Sequence, residues 1–241
     1  MKRSRPSRPN ERGVQQPRQL PLDLPSPPRF LPEDFVIGPS NERAYAMIEA
    51  WPSWPGEALL LVGPRGSGKT HLGAIWAARA HAWTLRRAEI ENDAVARFMA
   101  PRALLVENAH EEGDEAALFH LINAARLRGS HLLLTAVSEP ALWSLTTPDL
   151  LSRLRLAPVV HMEEPDEGLL RMVIIKLFLD RQLVVDAGVV ETILMLAERS
   201  FAGARAAVEA LDQHSLATKH RITRALAREV LRTGDDAADE G

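Results

Sequence analysis

The run Gly63-Pro64-Arg65-Gly66-Ser67-Gly68-Lys69-Thr70 fits the spacing G-x-x-x-x-G-K-[ST] at every fixed position. Residues of these types in this order can hold a phosphate chain. The glycines let the backbone turn tightly and aim its N–H groups at phosphate oxygens. A helix starting there adds partial positive charge. Lys69 is placed to reach the β- and γ-phosphates, and the Thr70 hydroxyl is of the type that ligates Mg²⁺. The flanks agree. Ala58–Val62 is an apolar run of strand length, and His71 to His81 reads as a helix. The expected ligand of the stretch from Gly63 to His71 is a nucleoside di- or triphosphate with Mg²⁺.

Hydrolysis would need a second apolar strand ending in an acidic pair. Ala103–Val106 is such a strand, but Glu107 and Asn108 follow it. The Glu107 carboxylate can hold Mg²⁺ through water. The Asn108 amide can orient a water but cannot take its proton, and general-base work contributes about 10²–10⁴-fold. Tight nucleotide binding with slow intrinsic turnover is the expectation. The next strand offers Thr135 and Ser138 near a γ-phosphate, although threonine also simply suits a strand. Two arginines stand apart in sequence, Arg153 in 148–154 and Arg205 after Ser200-Phe201-Ala202-Gly203-Ala204. Taken singly, each is a surface salt-bridge residue.

These side chains need elements to carry them. Strands are expected at 58–62, 82–86, 103–106, 132–136 and 158–161. Helices are expected at 41–51, 69–81, 115–128 and 148–154. The alternation argues for an α/β core over residues 30–164, a parallel sheet covered on both faces. After Pro165 only helical patterns remain, at 166–181, 187–199, 204–220 and 222–232, which suggests a small all-α unit over 165–232. Residues 1–29 are rich in Pro and Arg, with seven cations against Glu11 and Asp23, and read as a disordered basic tail. Residues 233–241 read as an acidic, frayed end that includes Asp235 and Asp236.

The chain has 241 residues, 46% of them hydrophobic, enough for one core and a small second unit. Its net charge of −3 does not mark the whole molecule as a nucleic-acid binder, and the absence of cysteine excludes disulfides and thiol chemistry. No apolar run approaches membrane-spanning length, so no membrane partner and a cytoplasmic location are expected. His110-Glu111-Glu112 reads as a solvated loop rather than a metal site. Trp51 and Trp54 suit loop packing, with flanking of an adenine as the alternative.

With these pieces placed, the chain resembles the AAA+ ATPases, and among them the DnaA-related family. The likeness runs from about Phe30 to Arg232. Leu31 to Asn41, with Phe35, Val36 and Ile37, resembles that family's adenine-pocket segment, and Gly68-Lys69-Thr70-His71-Leu72 its phosphate loop and helix. Phe119-His120-Leu121-Ile122-Asn123 is similar to its helix after the acidic pair. The resemblance implies that Arg153, in Ser152-Arg153-Leu154, is an arginine finger and that Arg205 is the nucleotide-sensing arginine of the lid. The expected layout ends at the lid, without the initiator's DNA-reading domain. That layout is similar to the Hda-like branch, regulatory inactivators of DnaA. Gln19-Leu20-Pro21-Leu22-Asp23-Leu24 resembles the peptide that docks on the DNA sliding clamp, Gln19, Leu20, Leu22 and Leu24 supplying the contacts. The resemblance therefore implies DnaA and the clamp as partners, DNA reached indirectly through the clamp, possible self-association, and narrows the nucleotide to ADP or ATP, with ADP favoured. It implies a negative regulator of replication initiation that stimulates hydrolysis of DnaA-bound ATP. Two other readings stay open: an active AAA+ helicase loader or remodeller, and a non-catalytic clamp-tethered adaptor.

Overall fold

The computed structural model of the protein describes residues 30–91 and 102–238. The residues expected to contact the clamp, Gln19, Leu20, Leu22 and Leu24, lie outside them.

Five strands form one sheet: β1 (Ala58–Val62), β2 (Trp83–Arg86), β3 (Ala103–Glu107), β4 (His131–Ala136) and β5 (Val159–His161). The order is β2-β3-β4-β1-β5, and each pairing is parallel. Eight α-helices accompany them among the described residues: α1 (Glu42–Glu49), α2 (Lys69–Ala80), α3 (Glu115–Leu127), α4 (Pro148–Leu154), α5 (Glu167–Asp180), α6 (Ala187–Leu196), α7 (Phe201–Thr218) and α8 (Arg224–Ala238).

A strand buried on both faces must be apolar at successive positions, since alternate side chains point to opposite sides. On β1, Leu59 and Leu61 pack toward α1 and α2, where they meet Ile48, Leu72 and Trp76. Leu60 and Val62 pack the other way, against Leu118 and Leu121 of α3 and Leu150 and Leu154 of α4. The sheet thus lies between two helical layers, as the sequence pattern requires. After β1 the chain crosses to the far edge of the sheet, whereas β5 is added on the opposite side. That reversal opens a crevice at the C-terminal end of β1, the usual ligand position in open α/β sheets.

The helical unit α5–α8 has its own apolar centre, with Ile174, Phe178, Ile193, Val208 and Leu211 fully buried. Its helix ends differ from the sequence expectation for local reasons. Asp166 is a cap and not the first helical residue: its carboxylate accepts the Leu169 N–H at 2.8 Å. α6 stops at Leu196 and not Arg199, because α7 begins early, at Phe201. Ser200 Oγ caps that helix by accepting the Gly203 N–H at 2.9 Å. The first turn of α7 lies so close to Glu198 that a Cβ on Gly203 would come within 2.4 Å of the Glu198 carbonyl oxygen. α8 runs on to Ala238, so Asp235 and Asp236 fall within a helix and not a frayed end; the alanines that close the segment are strong helix formers.

Candidate functional site

The loop Gly63–Gly68 leaves the C-terminal end of β1 and turns into α2. Gly66 and Gly68 have φ of +75° and +93°, the left-handed region that glycine enters without strain. Lys69 and Thr70 are the first two residues of α2, so the lysine stem and the helix N-terminus converge on the loop. The Lys69 ammonium donates to the carbonyls of Gly63 at 2.8 Å and Pro64 at 2.6 Å. Burial, and then the charge of Arg65, lower its pKa from 10.5 to about 8. A lysine held this way is a strong anchor for added negative charge, because an anion restores the ammonium that burial disfavours.

β3 ends beside this loop. The Thr70 hydroxyl donates to the Glu107 carboxylate, and burial raises the Glu107 pKa. One hydroxyl and one carboxylate side by side are the hard oxygen donors that Mg²⁺ takes, so the two residues suit the role expected of them. Asn108 has φ of +53°, a conformation that asparagine tolerates better than other non-glycine residues. Its backbone N–H donates to Thr135 Oγ1 at 3.1 Å. Thr135 is fully buried on β4 and so lies next to the acidic strand end, its hydroxyl engaged with the backbone. A bond from the Glu111 N–H to the Asn108 carbonyl, 2.9 Å, closes a turn over 108–111.

That turn corrects one expectation. His110 is not a solvated loop residue. It is half-buried, its Nδ1 is inaccessible and has no hydrogen-bond partner among the described residues, and burial lowers its pKa while Lys69 and Arg65 press in the same direction. The backbone turn, not the side-chain types, places it near the phosphate loop, and nothing in His110-Glu111-Glu112 signalled it.

The segment expected to hold an adenine packs over the start of α2. His71 shares a hydrogen bond of 2.9 Å with the Leu31 carbonyl, and its ring meets Phe30 and Phe35 at 5.3 and 5.2 Å between centroids. Phe35 stacks on Tyr45 at 5.7 Å. The Asn41 amide fixes the backbone here, donating to the Val36 carbonyl and accepting the Gly38 N–H, each at 2.9 Å. Phe35 and Val36 are half-buried and Ile37 is exposed. Trp51 and Trp54 are elsewhere. Both rings pack on Trp76 and His131, and His131 opens β4, at the end of the sheet away from the phosphate loop.

The helical unit closes the crevice from the other side. A Cβ on Gly66 would stand 2.6 Å from Ser200 Cβ, and one on Gly68 would stand 3.2 Å from the Phe201 ring. The first turn of α7 therefore sits directly on the phosphate loop. Arg205, in the second turn, is near enough for its charge to depress the His71 pKa. Ser200 and Phe201 are contacts that sequence reasoning missed. The available signal was Ser200 itself, an N-cap residue type just ahead of a helical run.

Arg153 lies apart from all of these. It lines a cleft of about 200 Å³ with Glu57, Ala58, Arg126, Leu132 and Leu156. Ala58 and Leu132 begin β1 and β4, whereas the phosphate loop follows the end of β1. Five strand residues, about 16 Å, separate the two places. The structure thus brings Gly63–Thr70, His71, Glu107, Asn108, Thr135 and Arg205 to one end of the sheet and leaves Arg153 at the other.

The comparisons with known proteins agree with this architecture. No protein-family model matches the chain. The chromosomal replication initiator protein DnaA of Thermomicrobium roseum is 28% identical over 92% of the chain. The chain spans 54% of that relative's length, about half. Domain III of the Thermotoga maritima replication initiation protein DnaA superposes with a TM-score of 0.74 at 22% identity, covering 87% of this chain and 98% of that one. AMPPCP-bound DnaA from Aquifex aeolicus gives a TM-score of 0.64 at 18% identity, over 75% and 64% of the two chains. Its five-stranded parallel sheet, phosphate loop and helical unit give the chain the fold of domain III of the Thermotoga maritima replication initiation protein.

Proposed function

We propose that this protein is a nucleotide-bound regulator that stimulates hydrolysis of ATP held by the replication initiator DnaA and so limits initiation. The observation that carries this reading is the separation of Arg153 from the chain's own phosphate loop. An arginine side chain cannot cross the sheet, so Arg153 acts on a nucleotide only if another molecule brings one to it. An arginine supplied in trans stabilises charge on a transferring phosphoryl group and is worth about 10³–10⁵ in rate.

The chain's own site has a holding role. Gly63–Gly68 and the α2 N-terminus take the phosphates, with Lys69 neutralising them. Thr70 and Glu107 would hold Mg²⁺, which when bound would screen the phosphate charge. Phe35, Val36 and Ile37 face the base, and Arg205 senses the nucleotide from α7. Asn108 has no proton-accepting group, so bound nucleotide persists. ADP is the favoured resident by resemblance to the Hda-like branch. The Gln19-Leu20-Pro21-Leu22-Asp23-Leu24 peptide tethers the protein to a sliding clamp loaded on DNA, which raises its effective concentration near the partner.

The test is single-turnover hydrolysis of ATP pre-bound to DnaA, with this protein added, with and without DNA-loaded clamp. The expected result is clamp-dependent acceleration that Arg153→Ala abolishes and Leu22→Ala with Leu24→Ala weakens. Acceleration that survives Arg153→Ala would identify the protein as a tether only. No acceleration with either nucleotide would remove the inactivator reading.

A further inference from the structure

The outer edge of the helical unit carries cations that the nucleotide site does not use. Lys219, Arg221, Arg224, Arg228 and Arg232 are all exposed. Arg224, Arg228 and Arg232 recur at four-residue steps, which places them on one side of α8 over about 12 Å. The opposite side is fixed: Ala227 is buried, and Val230 and Leu231 pack on the centre of the unit. The ridge therefore cannot turn inward.

Three other cations of the unit are paired: Arg171 with Glu167 and Glu191, Lys176 with Asp34 and Asp180, and Arg181 with Asp212. Among residues 102–232, no carboxylate forms an ion pair with any of the five ridge cations. One of them is also guided by its surroundings. The Arg224 stem crosses Gly188 of α6, its Cδ 3.4 Å from where a Cβ would stand. A glycine there gives the stem a track, so its guanidinium loses less freedom on meeting a ligand.

We propose that this ridge is a binding surface for the phosphate backbone of DNA. It is separate from the nucleotide crevice and does not depend on the nucleotide reading. Guanidinium groups suit phosphate because their planar forks pair with its oxygens in a bidentate way. Charge density favours a nucleic acid over an acidic peptide. Duplex DNA presents one negative charge per about 1.7 Å, so a ridge of about 12 Å always has phosphates within reach. An extended peptide offers at most one charge per about 3.3 Å, on alternating sides. Contacts to phosphate carry no sequence information, so the binding is independent of base sequence.

The experiment is fluorescence anisotropy of the full chain with labelled duplex DNA across a salt series, comparing the native protein with Arg221→Gln/Arg224→Gln/Arg228→Gln. All three side chains are exposed, and unchanged binding of a fluorescent ADP analogue verifies that the variant is folded. The expected result is at least tenfold weaker DNA binding at low salt. The slope of log K against log salt should become shallower by about 2 to 3, near 0.9 for each phosphate that the variant no longer neutralises. The basic residues of 1–29 account for the residual binding. Equal affinity and slope in the two proteins would overturn the proposal. So would native protein that binds polyglutamate as tightly as DNA and loses only polyglutamate in the variant, which would assign the ridge to an acidic protein partner.

Discussion

Asn108 does two jobs that the sequence alone could not separate. Its amide cannot accept a proton, and its backbone sits at φ +53° while donating to Thr135. A glutamate at that position supplies a base but must adopt a conformation that costs most side chains roughly 1–2 kcal/mol. Asn108→Glu is therefore expected to raise intrinsic ATP turnover by about 10²-fold, the lower end for general-base catalysis. Its melting temperature should fall by about 2–8 °C. Steady-state phosphate release and a thermal melt check the two effects. Asn108→Asp tolerates the backbone better and separates them. Turnover that stays flat in both variants, with binding intact, would mean that the neutral amide is not what limits hydrolysis. Lys69 gives a second prediction at this scale. Its pKa is about 8 in the free protein, and bound phosphates raise it by favouring the ammonium. The complex therefore takes up a proton above pH 8, and affinity is lost as pH rises through that value. ATP binding at pH 9 should be roughly tenfold weaker than at pH 7, one pKa unit corresponding to a factor of ten. Calorimetry in buffers of different ionisation enthalpy should show the uptake. A constant dissociation constant between pH 7 and 9 would contradict it.

At the scale of elements, one half-buried glutamate joins the helix after β3 to the helix that carries Arg153. Glu115 begins α3 and accepts the Thr147 N–H at 2.8 Å and the Thr146 N–H at 2.9 Å, just ahead of α4. These bonds, first that from Thr146, lower its pKa from 4.5 to about 2. Because the folded value is depressed, the contribution to stability is full above about pH 4.5 and is lost as pH falls through about 2. Solvent reaches the carboxylate, so screening limits the effect to that of an ordinary hydrogen bond. Glu115→Gln should lower the melting temperature by about 2–4 °C at pH 7. The gap to the native protein should narrow as pH drops from 4.5 toward 2. A gap that does not change with pH would show that the charge is irrelevant to the brace. Glu115 escaped sequence reading because its partners lie 31 and 32 residues away, and only the layering of α3 and α4 brings them together.

For the whole molecule, the sheet and its two helical layers were legible because the central strands of a parallel sheet covered on both faces must be apolar, and 58–62, 103–106 and 132–136 are such runs. The phosphate loop was legible because its glycines, lysine and threonine are contiguous. What depended on distant contacts was not. Ser200 and Phe201 meet the loop only after the helical unit folds back, and His110 arrives by a backbone turn. The placement of Arg153 belongs to the same class, and it leads to a prediction about the assembly. About 16 Å of β1 separates its cleft from the phosphate loop, so it cannot contribute to the chain's own nucleotide site. Arg153→Ala should leave the affinity for ADP and ATP within about twofold of native, well under one pKa unit or 1.4 kcal/mol. Lys69→Ala should remove binding, since it deletes the buried ammonium held over Gly63 and Pro64. Titration of a fluorescent ADP analogue into each variant decides this. If Arg153→Ala weakens binding tenfold in the isolated protein, the arginine reaches a nucleotide in a self-associated form, and a concentration-dependent affinity would follow. If affinity is unchanged at every protein concentration, Arg153 is reserved for a nucleotide that another protein carries.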